Sequence, residues 1–548
     1  MAHGDLGDLL AKVLPTGAEV TVRHISSTPV PSVALFAAAP GHQPESTFCE
    51  NHFLSVSIDS PKDAAAEIIV FGIEVLIYNS AHLTTIFVSK ADSTGLLHLL
   101  KLPQKVSVLR LITHTFLSHL ARTHQRPGVR LVVSLFARAQ NQYIFPGSIE
   151  NAEKHVLNDR GLIKWWCRAI DPILNEHEPE SVSQDSKPVD QTIEASKASS
   201  TAYLIVPGCD RLETRGFFPS TSKNYAQGQP RWLASYPLRQ MVDDPAAPPR
   251  CLIPRLPDDP KTRFLIDLDD ELPEPTQGET QSLQTGQWRS IKSVDQFWEM
   301  MSYRQECSAG RLVGFLWLVI NPPGLINSTT MASQTRASIE TSSGSHEAEA
   351  SNPLEDEHPQ EVSSKAEPGS PKYTTAVGTI TPEETSEHLP VSFDRPSFQT
   401  DILAPSANDN PFFWPEAGRG QVVLDAEDYK KMMDGVLDHF YDETEIVAST
   451  RLYVDQVASL ADQLTWGQRV VGTHTHEVAA AQPAAINNLL NGSLVRKRKK
   501  PEAESGTPTR VDADVGPAQP SGTGADAPAQ AAVVNVLGAG LLRKKKKT

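Results

Sequence analysis

The stretch Gln142–Trp166, QYIFPGSIENAEKHVLNDRGLIKWW, decides the fold of this chain. It follows the run VRLVVSLFARA (129–139), whose β-branched and apolar residues predict a strand. Asn158 or Asp159 is suited to cap the helix that comes next. Apolar residues recur on one broad face of that helix: Leu162, Trp165, Trp166, Ala169, Ile170 and Ile173. The stretch therefore predicts a strand, a polar turn able to contact a ligand, and an amphipathic helix.

The segments upstream extend this to a mixed α/β pattern. AEIIVFGIEVLIY (66–78) and TTIFVSK (84–90) are apolar and β-branched, which predicts two strands. VSVLRLITHTFLSHLARTH (106–124) carries apolar residues at helical spacing. Strand, helix and then the strand at 129–139 predict a βαβ-like unit in an α/β domain.

Composition divides the rest of the chain. Of 548 residues 42 are proline and 39% are hydrophobic, so we expect much of the chain to be unpacked. We predict an ordered domain over 1–475 with disordered insertions at about 177–200 and 328–410. Residues 476–548 are predicted to be a disordered tail. Its two similar motifs, NLLNGSLVRKRKK (488–500) and NVLGAGLLRKKKKT (535–548), are either nuclear-import signals or a duplicated docking element.

Several function classes are disfavoured. The five cysteines are scattered without a CxxC pair or a His/Cys cluster, so neither structural zinc nor a disulfide framework is expected. No apolar run is long enough to cross a bilayer, so we expect a soluble intracellular protein without a membrane partner. The formal charge of −16 argues against coating DNA and is compatible with a basic protein partner such as a histone.

A pair of carboxylates is the clearest chemical signal. Asp258 and Asp259 precede Pro260 and Lys261, a pattern typical of a solvated turn. Apolar residues flank this segment, however, which also allows the pair to lie at the edge of the core. There it would suit holding an incoming lysine ammonium and later accepting its proton. The alternative for Lys261 is a weak ion pair with these acids.

Five short segments follow one another along the chain: SKAD (89–92), QYIFP (142–146), KH (154–155), KWW (164–166) and PDDPK with RF (257–264). In this order they resemble the fungal-specific histone H3 lysine acetyltransferase family of the Ty-transposition-regulator type. The similarity covers most of 60–325 and, more loosely, 415–475. The family fold is a single α/β acetyltransferase domain with a central, mostly antiparallel sheet enclosed by helices, as in CBP-type enzymes.

The resemblance also implies chemistry and partners. It implies acetyl-CoA as co-substrate, no metal, and histone H3 with its dimer partner histone as substrate, at the core lysine at position fifty-six and some tail lysines. Histone chaperones of the anti-silencing-function and NAP types would assist in the nucleus, during replication-coupled nucleosome assembly and for genome stability. No sequence-specific nucleic acid binding is implied.

The resemblance assigns roles to individual residues. Asp92 and Asp259 would orient the amine and assist its deprotonation, with Asp258 supporting. Trp166 would line the acceptor channel, and Tyr143 would act at the thioester. Lys261 would be autoacetylated. The implied acetyl-CoA contacts are Ala91, Asp92, Ser93, Lys105, Val106, Ser107, Val108, Leu109, Phe136, Gln140, His155, Val156, Leu157 and Trp165. KVSVL (105–109) also begins a predicted helix, whose first N–H groups are suited to bind the pyrophosphate.

Other interpretations of the same residues stay open at this stage. Asp92 could simply cap a turn, and the tryptophans could be core residues. The whole protein could be a non-catalytic chromatin adaptor that binds histones through a degenerate transferase domain. It could also be an acyltransferase for a small amine. The favoured prediction is direct acetyl transfer in a ternary complex without a covalent enzyme intermediate.

Overall fold

The computed structural model describes residues 5–63, 65–102, 106–180, 197–225, 230–242, 244–272, 286–307, 310–323 and 410–475. Met1–Glu477 forms one compact unit. The tail with both basic motifs and most of the two predicted insertions lie outside the described residues. The flanks of the first insertion are described, and both contain strand residues, at 178–179 and from 199 onward. The prediction of disorder over 177–200 is therefore too wide at both ends.

Twelve strands of the described residues form one sheet. They are β1 (Glu19–Ser27), β2 (Val30–Ser32), β3 (Thr47–Asp59), β4 (Glu67–Asn79), β5 (Leu83–Ser93), β6 (Arg130–Ala137), β7 (Glu178–Pro179), β8 (Ser199–Ile205), β9 (Trp232–Leu233), β10 (Gly314–Asn321), β11 (Val422–Leu424) and β12 (Gln468–Val471). The main path runs β11-β1-β3-β4-β5-β6-β10-β8-β7, while β12 pairs with β1, β2 with β3 and β9 with β8. Most of these pairs are antiparallel, as the family resemblance implied.

Helices cover the sheet. They are α1 (Leu6–Val13), α2 (Val108–His124), α3 (Asp159–Asn175), α4 (Arg211–Arg215), α5 (Leu238–Met241), α6 (Pro260–Asp269), α7 (Val294–Met301), α8 (Ala426–Asp438) and α9 (Ile446–Leu460). The cap of α3 is Asn158, whose side chain accepts a hydrogen bond from the Gly161 N–H. Asp425, the cap of α8, likewise accepts from the Asp428 N–H. In each case the side chain satisfies an N–H group that has no partner within the helix.

The predicted βαβ-like unit is present. Strands β5 and β6 are parallel neighbours, with Ile86 opposite Val133, and α2 connects them. The sequence analysis did not single out β1 or β3, although both are long and almost wholly buried. Polar and ionisable residues in β3, among them Glu50 and His52, interrupt the apolar run that would have revealed it.

The hydrophobic core has two main parts. The larger part lies between β1, β3–β6, β8 and β10 and the helices α1–α3, α8 and α9. The second part lies on the outer side of β10, where Trp288, Phe297, Trp298 and Trp317 pack with α6 and α7. Strand β10 therefore contributes alternate side chains to both parts, because neighbouring side chains of a strand point to opposite faces. This placement brings α6 and its preceding turn next to β6 and β10.

No helix among the described residues is long and apolar enough to cross a membrane. All five cysteines lie in the described part of the chain as free thiols, and four of them are buried.

Candidate active site

A small cleft lies where β5 and β6 end, next to the turn that follows β6 and beside α3. Its lining residues are Val88, Ser89, Lys90, Ala91, Leu135, Phe136, Arg138, Tyr143, Leu162 and Trp166. Of the residues predicted from sequence, the cleft brings together Ala91, Phe136, Tyr143 and Trp166. Apolar side chains form its walls, and two cationic side chains complete the lining.

A β-bulge shapes the wall made by β5. Glu74 of β4 is opposite Lys90, but Val75 is opposite Val88, so Ser89 is an extra residue. Such bulges re-aim the neighbouring side chains, and Ser89 and Lys90 both face the cleft. Sequence reasoning gave neither Glu74 nor Lys90 a role. A glutamate in the middle of the apolar run 66–78 was the available signal.

Lys90 joins three segments at the cleft. Its Nζ lies 3.2 Å from Glu74 Oε2 and 3.1 Å from Asp258 Oδ2. Burial opposes the charge on Lys90, but the two carboxylates outweigh it and raise the pKa of this lysine. Asp258 has a left-handed backbone with φ of 56°, and its side chain is 65% exposed. The Asp258 carboxylate is thus accessible from solvent and adjoins the cleft through its contact with the lining residue Lys90.

Asp92 holds the turn at 142–146, which borders the cleft. Its Oδ2 accepts hydrogen bonds from the N–H groups of three consecutive residues, Tyr143 (2.7 Å), Ile144 (3.0 Å) and Phe145 (3.3 Å). Its Oδ1 lies 3.0 Å from Lys154 Nζ and accepts from the Ser93 N–H at 2.8 Å. Both oxygens are used by these contacts. Asp92 therefore holds QYIFP in place, a positioning task related to the turn-capping alternative that the sequence left open.

The SKADSTG and KH motifs also meet in the structure. Gly95 has φ of +85°, and a Cβ added there would lie 2.6 Å from Lys154 Cα, so only glycine allows this approach of the two backbones. Lys154 Nζ also donates to Ser148 Oγ at 2.6 Å. With the Asp92 ion pair, these contacts fix the segment that leads into α3.

Aromatic packing fixes the turn at 142–146 against β4. The Phe145 ring lies over Gly72 of β4, where a Cβ would come within 2.8 Å of the ring, and packs at 4.9 Å from Tyr441. Tyr143 donates its hydroxyl to the carbonyl of Arg138. Burial, partly offset by Arg138, raises the pKa of Tyr143 to about 12, so its hydroxyl stays protonated at neutral pH.

The two tryptophans of α3 differ in position. Trp166 is 6% exposed and lines the cleft, whereas Trp165 packs at the border of the core with its ring centroid 5.0 Å from that of Trp166. Phe136 forms the facing wall and stacks on Phe87.

Asp259 and Lys261 form a buried ion pair beside the cleft. Asp259 caps α6 by accepting from the Lys261 N–H at 3.0 Å, and its other oxygen contacts Lys261 Nζ. Both side chains are 1% exposed. Burial raises the pKa of Asp259 and lowers that of Lys261, outweighing their mutual attraction. The Nζ lies 5.7 Å from the ring centre of Phe315, which is paired with the cleft residue Phe136 across β10 and β6.

The other predicted cofactor residues lie outside the lining of this cleft. Lys105 lies outside the described residues, while Val106, Ser107, Val108 and Leu109 form the entry to α2, where Ser107 occupies the N-cap position without a capping hydrogen bond from its side chain. Gln140 lines an adjoining open cleft together with Arg138 and Arg311. His155, Val156 and Leu157 belong to the segment before α3, where His155 is exposed. Ser93 ends β5 next to Asp92.

Comparison with known proteins places the chain in a family. The model of the histone acetyltransferase KAT11-type domain matches residues 6–130 and 125–456. The chain is 55% identical to the histone acetyltransferase rtt109 of Aspergillus flavus, over 99% of both chains. It is 32% identical to the Schizosaccharomyces pombe protein of the same name, over 46% of this chain and 56% of that one. The crystal structure of Rtt109 from Aspergillus fumigatus is similar, with a TM-score of 0.68, 56% identity and coverage of 86% of this chain and 100% of that chain. The resemblance seen in the sequence is confirmed: the chain belongs to the KAT11-type histone acetyltransferases, in the fungal Rtt109 family.

Proposed function

We propose that this protein transfers the acetyl group of acetyl-CoA to a lysine of histone H3. The acceptor would be the core lysine at position fifty-six together with some tail lysines, on H3 bound to its dimer partner histone. Chaperones of the anti-silencing-function and NAP types would present this substrate in the nucleus, during replication-coupled nucleosome assembly. Family membership supports the histone acetyltransferase activity, and the geometry of the cleft supports the assignment of its residues.

The observation that carries the proposal is the convergence of four distant segments on one cleft. Residues 88–91, 135–143, 162–166 and 258 supply apolar walls, two cations and an exposed carboxylate. Apolar walls suit the pantetheine and acetyl portions of acetyl-CoA and the methylenes of a lysine. The start of the 17-residue helix α2, with Val106–Leu109, is suited to the anionic pyrophosphate because helix N-termini attract anions. The residues present therefore fit the co-substrate.

The reaction requires a neutral lysine amine. At neutral pH about one free lysine in a thousand is deprotonated. We propose that the exposed carboxylate of Asp258 receives the incoming ammonium at the mouth of the cleft, and that Trp166 and Phe136 exclude water around it. The amine nitrogen then bonds to the thioester carbonyl carbon as the carbon–sulfur bond breaks. The amine loses one proton, and the departing thiolate of coenzyme A gains one.

Asp259 is proposed to act once Lys261 has been neutralised. In the present state its carboxylate is buried against the Lys261 ammonium. The lowered pKa of Lys261 favours the neutral amine that self-acetylation needs. Acetylation would remove the positive charge and leave Asp259 without its counterion, free to accept a proton from the acceptor lysine. Asp92 is proposed as a positioning residue that acts through Tyr143, and Tyr143, which lines the cleft, is proposed to act at the thioester.

No covalent enzyme intermediate is proposed. None of the cysteines lines the cleft among the residues described there. Burial also raises the pKa of the thiols of Cys49, Cys167 and Cys251, which keeps them protonated and weakly nucleophilic.

The test is peptide mass spectrometry of the full chain with acetyl-CoA and H3–H4, with and without each chaperone. A Lys261→Arg variant serves as the matched control for self-acetylation. We expect acetyl groups on H3 and on Lys261, with the H3 signal dependent on chaperone. If neither site is modified with chaperone present, the result would contradict the proposal and favour the non-catalytic adaptor, which titration calorimetry with acetyl-CoA would then test. Rapid acetylation of free polyamines without chaperone would point to a small-amine acyltransferase instead.

A further inference from the structure

Three ionisable side chains converge two strands away from the cleft, across β4: His52 of β3 is opposite Val75, which is opposite the cleft residue Val88. Glu50 and His52 are two residues apart on β3, so they share one face of the sheet. His124, the last residue of α2, packs onto that face. One ligand atom from each of these residues lies within 4.8 Å of the others, and their side chains are 1%, 0% and 0% exposed.

The hydrogen bonds around the cluster fix the tautomer of His124. Its Nδ1 lies 2.9 Å from the carbonyl oxygen of Leu120, which can only accept, so Nδ1 carries the hydrogen. In the neutral ring, Nε2 then presents a lone pair to Glu50 Oε1 at 2.9 Å. His52 turns its Nδ1 toward His24 Nε2 at 3.0 Å and leaves its own Nε2 facing Glu50 Oε2 at 3.9 Å.

Four buried polar atoms therefore point at one another without a hydrogen-bond partner. They are both carboxylate oxygens of Glu50 and the Nε2 atoms of His52 and His124. Leaving such groups unsatisfied in the interior is costly. A proton between His124 and Glu50 would satisfy one contact and leave Glu50 Oε2 and His52 Nε2 unpaired. A metal ion would satisfy all four atoms.

The donor set matches a transition metal, and zinc in particular. Two imidazole nitrogens and one carboxylate are a recurring zinc ligand set, with bonds of about 2.0–2.2 Å that separate tetrahedral ligand atoms by about 3.3 Å. The observed separations of 2.9 Å and 3.9 Å from Glu50 lie on either side of that value. Each imidazole also makes the outer contact expected of a metal ligand, His124 to a carbonyl and His52 to His24.

We propose that Glu50, His52 and His124 bind a zinc ion that joins β3 to the end of α2. The single-turn helix Glu416–Gly418 closes over this site, because a Cβ at Gly418 would lie 2.4 Å from His124 Cε1. The site would be structural, fixing the returning chain before β11 against the sheet. The ligands lie on two distant elements, β3 and the end of α2, so the closely spaced Cys and His residues of a zinc motif are missing and no metal was expected from the sequence.

The test is the metal content of the full chain. Because the ligands are buried, zinc should enter during folding, so the protein is unfolded, refolded with zinc sulfate, desalted and measured by elemental mass spectrometry. We expect about one zinc per chain. Glu50→Gln and His124→Gln should lower this at least tenfold, whereas His439→Gln, outside the cluster, should not. Wild-type content as low as in the two cluster variants would overturn the proposal.

A second measurement guards against variants that simply fail to fold. Refolding wild-type protein with cobalt(II) in place of zinc should give the visible absorption bands of a four-coordinate site, and zinc should remove them. The Tm of wild type should rise with zinc during refolding, while that of Glu50→Gln should not. A zinc-independent Tm and no cobalt bands would instead assign the cluster to a proton-bridged Glu50–His124 pair.

Discussion

The ion pair between Asp92 and Lys154 offers the sharpest test of how the cleft is built. Their side chains are 7% and 5% exposed. Asp92→Asn keeps an oxygen for the N–H groups of 143–145 but removes the charge, leaving a buried ammonium with Ser148 Oγ as its remaining partner. Removing one partner of a buried pair costs about 3 kcal/mol. Lys154→Met should cost less, about 1–2 kcal/mol, because Asp92 retains four N–H donors.

The double variant Asp92→Asn/Lys154→Met removes both charges together. We expect it to be more stable than the sum of the single changes implies, with a coupling free energy of about 2 kcal/mol. Urea unfolding followed by tryptophan fluorescence measures each free energy of unfolding. The matched control is the Lys430–Asp434 pair, which is 2.7 Å long but 76% and 55% exposed, so its coupling should be near zero. A coupling for Asp92–Lys154 as small as that of the control would refute the reasoning.

The same variants separate a positioning role from a proton-transfer role. If Asp92 acts by holding 143–145, then Asp92→Asn should lower kcat, and adding Lys154→Met should restore part of it, since the unpaired ammonium no longer distorts the turn. If Asp92 accepts the proton of the substrate, no change at Lys154 can restore activity. Acetylation rates on H3–H4 with chaperone, measured for all four proteins, decide between the two.

Three further predictions concern the rest of the site. Asp259→Asn should lower kcat by tenfold or more while changing the Kd for acetyl-CoA little, as measured by titration calorimetry; equal losses would contradict a role in proton transfer. Because burial lowers the pKa of Lys261, the rate of its self-acetylation should rise with pH and level off below the pKa of an exposed lysine. Quenched mass spectrometry measures this rate at each pH. A rate that still rises past pH 10.5 would contradict the lowered pKa of Lys261. Gly95→Ala should destabilise the fold by about 2 kcal/mol, because Gly95 has a positive φ and its backbone lies close to Lys154. Gly128 also has a positive φ but has open space around it, so Gly128→Ala should cost less. Equal midpoints of urea unfolding for the two variants would contradict the packing argument.

Local signals predicted much of the secondary structure. The spacing of apolar residues gave α2 and α3, because one face of each helix packs on the sheet. The capping residue Asn158 marked the start of α3 because its side chain acts within a few residues. The strands β4 and β5 were also recognised, since β4 is a nearly continuous apolar run and β5 has a β-branched and apolar centre, TTIFV (84–88).

Strands with mixed composition were harder to recognise. In β3, polar and ionisable residues are buried because another element supplies their partners, as α2 does for Glu50. No property of a local window contains that information.

The sequence by itself determined the α/β class, the main helices and strands, and, through the order of its motifs, the family. Only the tertiary structure decided which side chains meet. Glu74, Lys90 and Asp258 come together from three separate segments. Asp92 accepts hydrogen bonds from the N–H groups of the turn at 143–145, about fifty residues further along the chain. The physical reason is that hydrogen bonds and ion pairs are short-ranged, so partners depend on strand register and on the bulge at Ser89. Propensity and periodicity act over a single turn or strand and cannot specify such contacts.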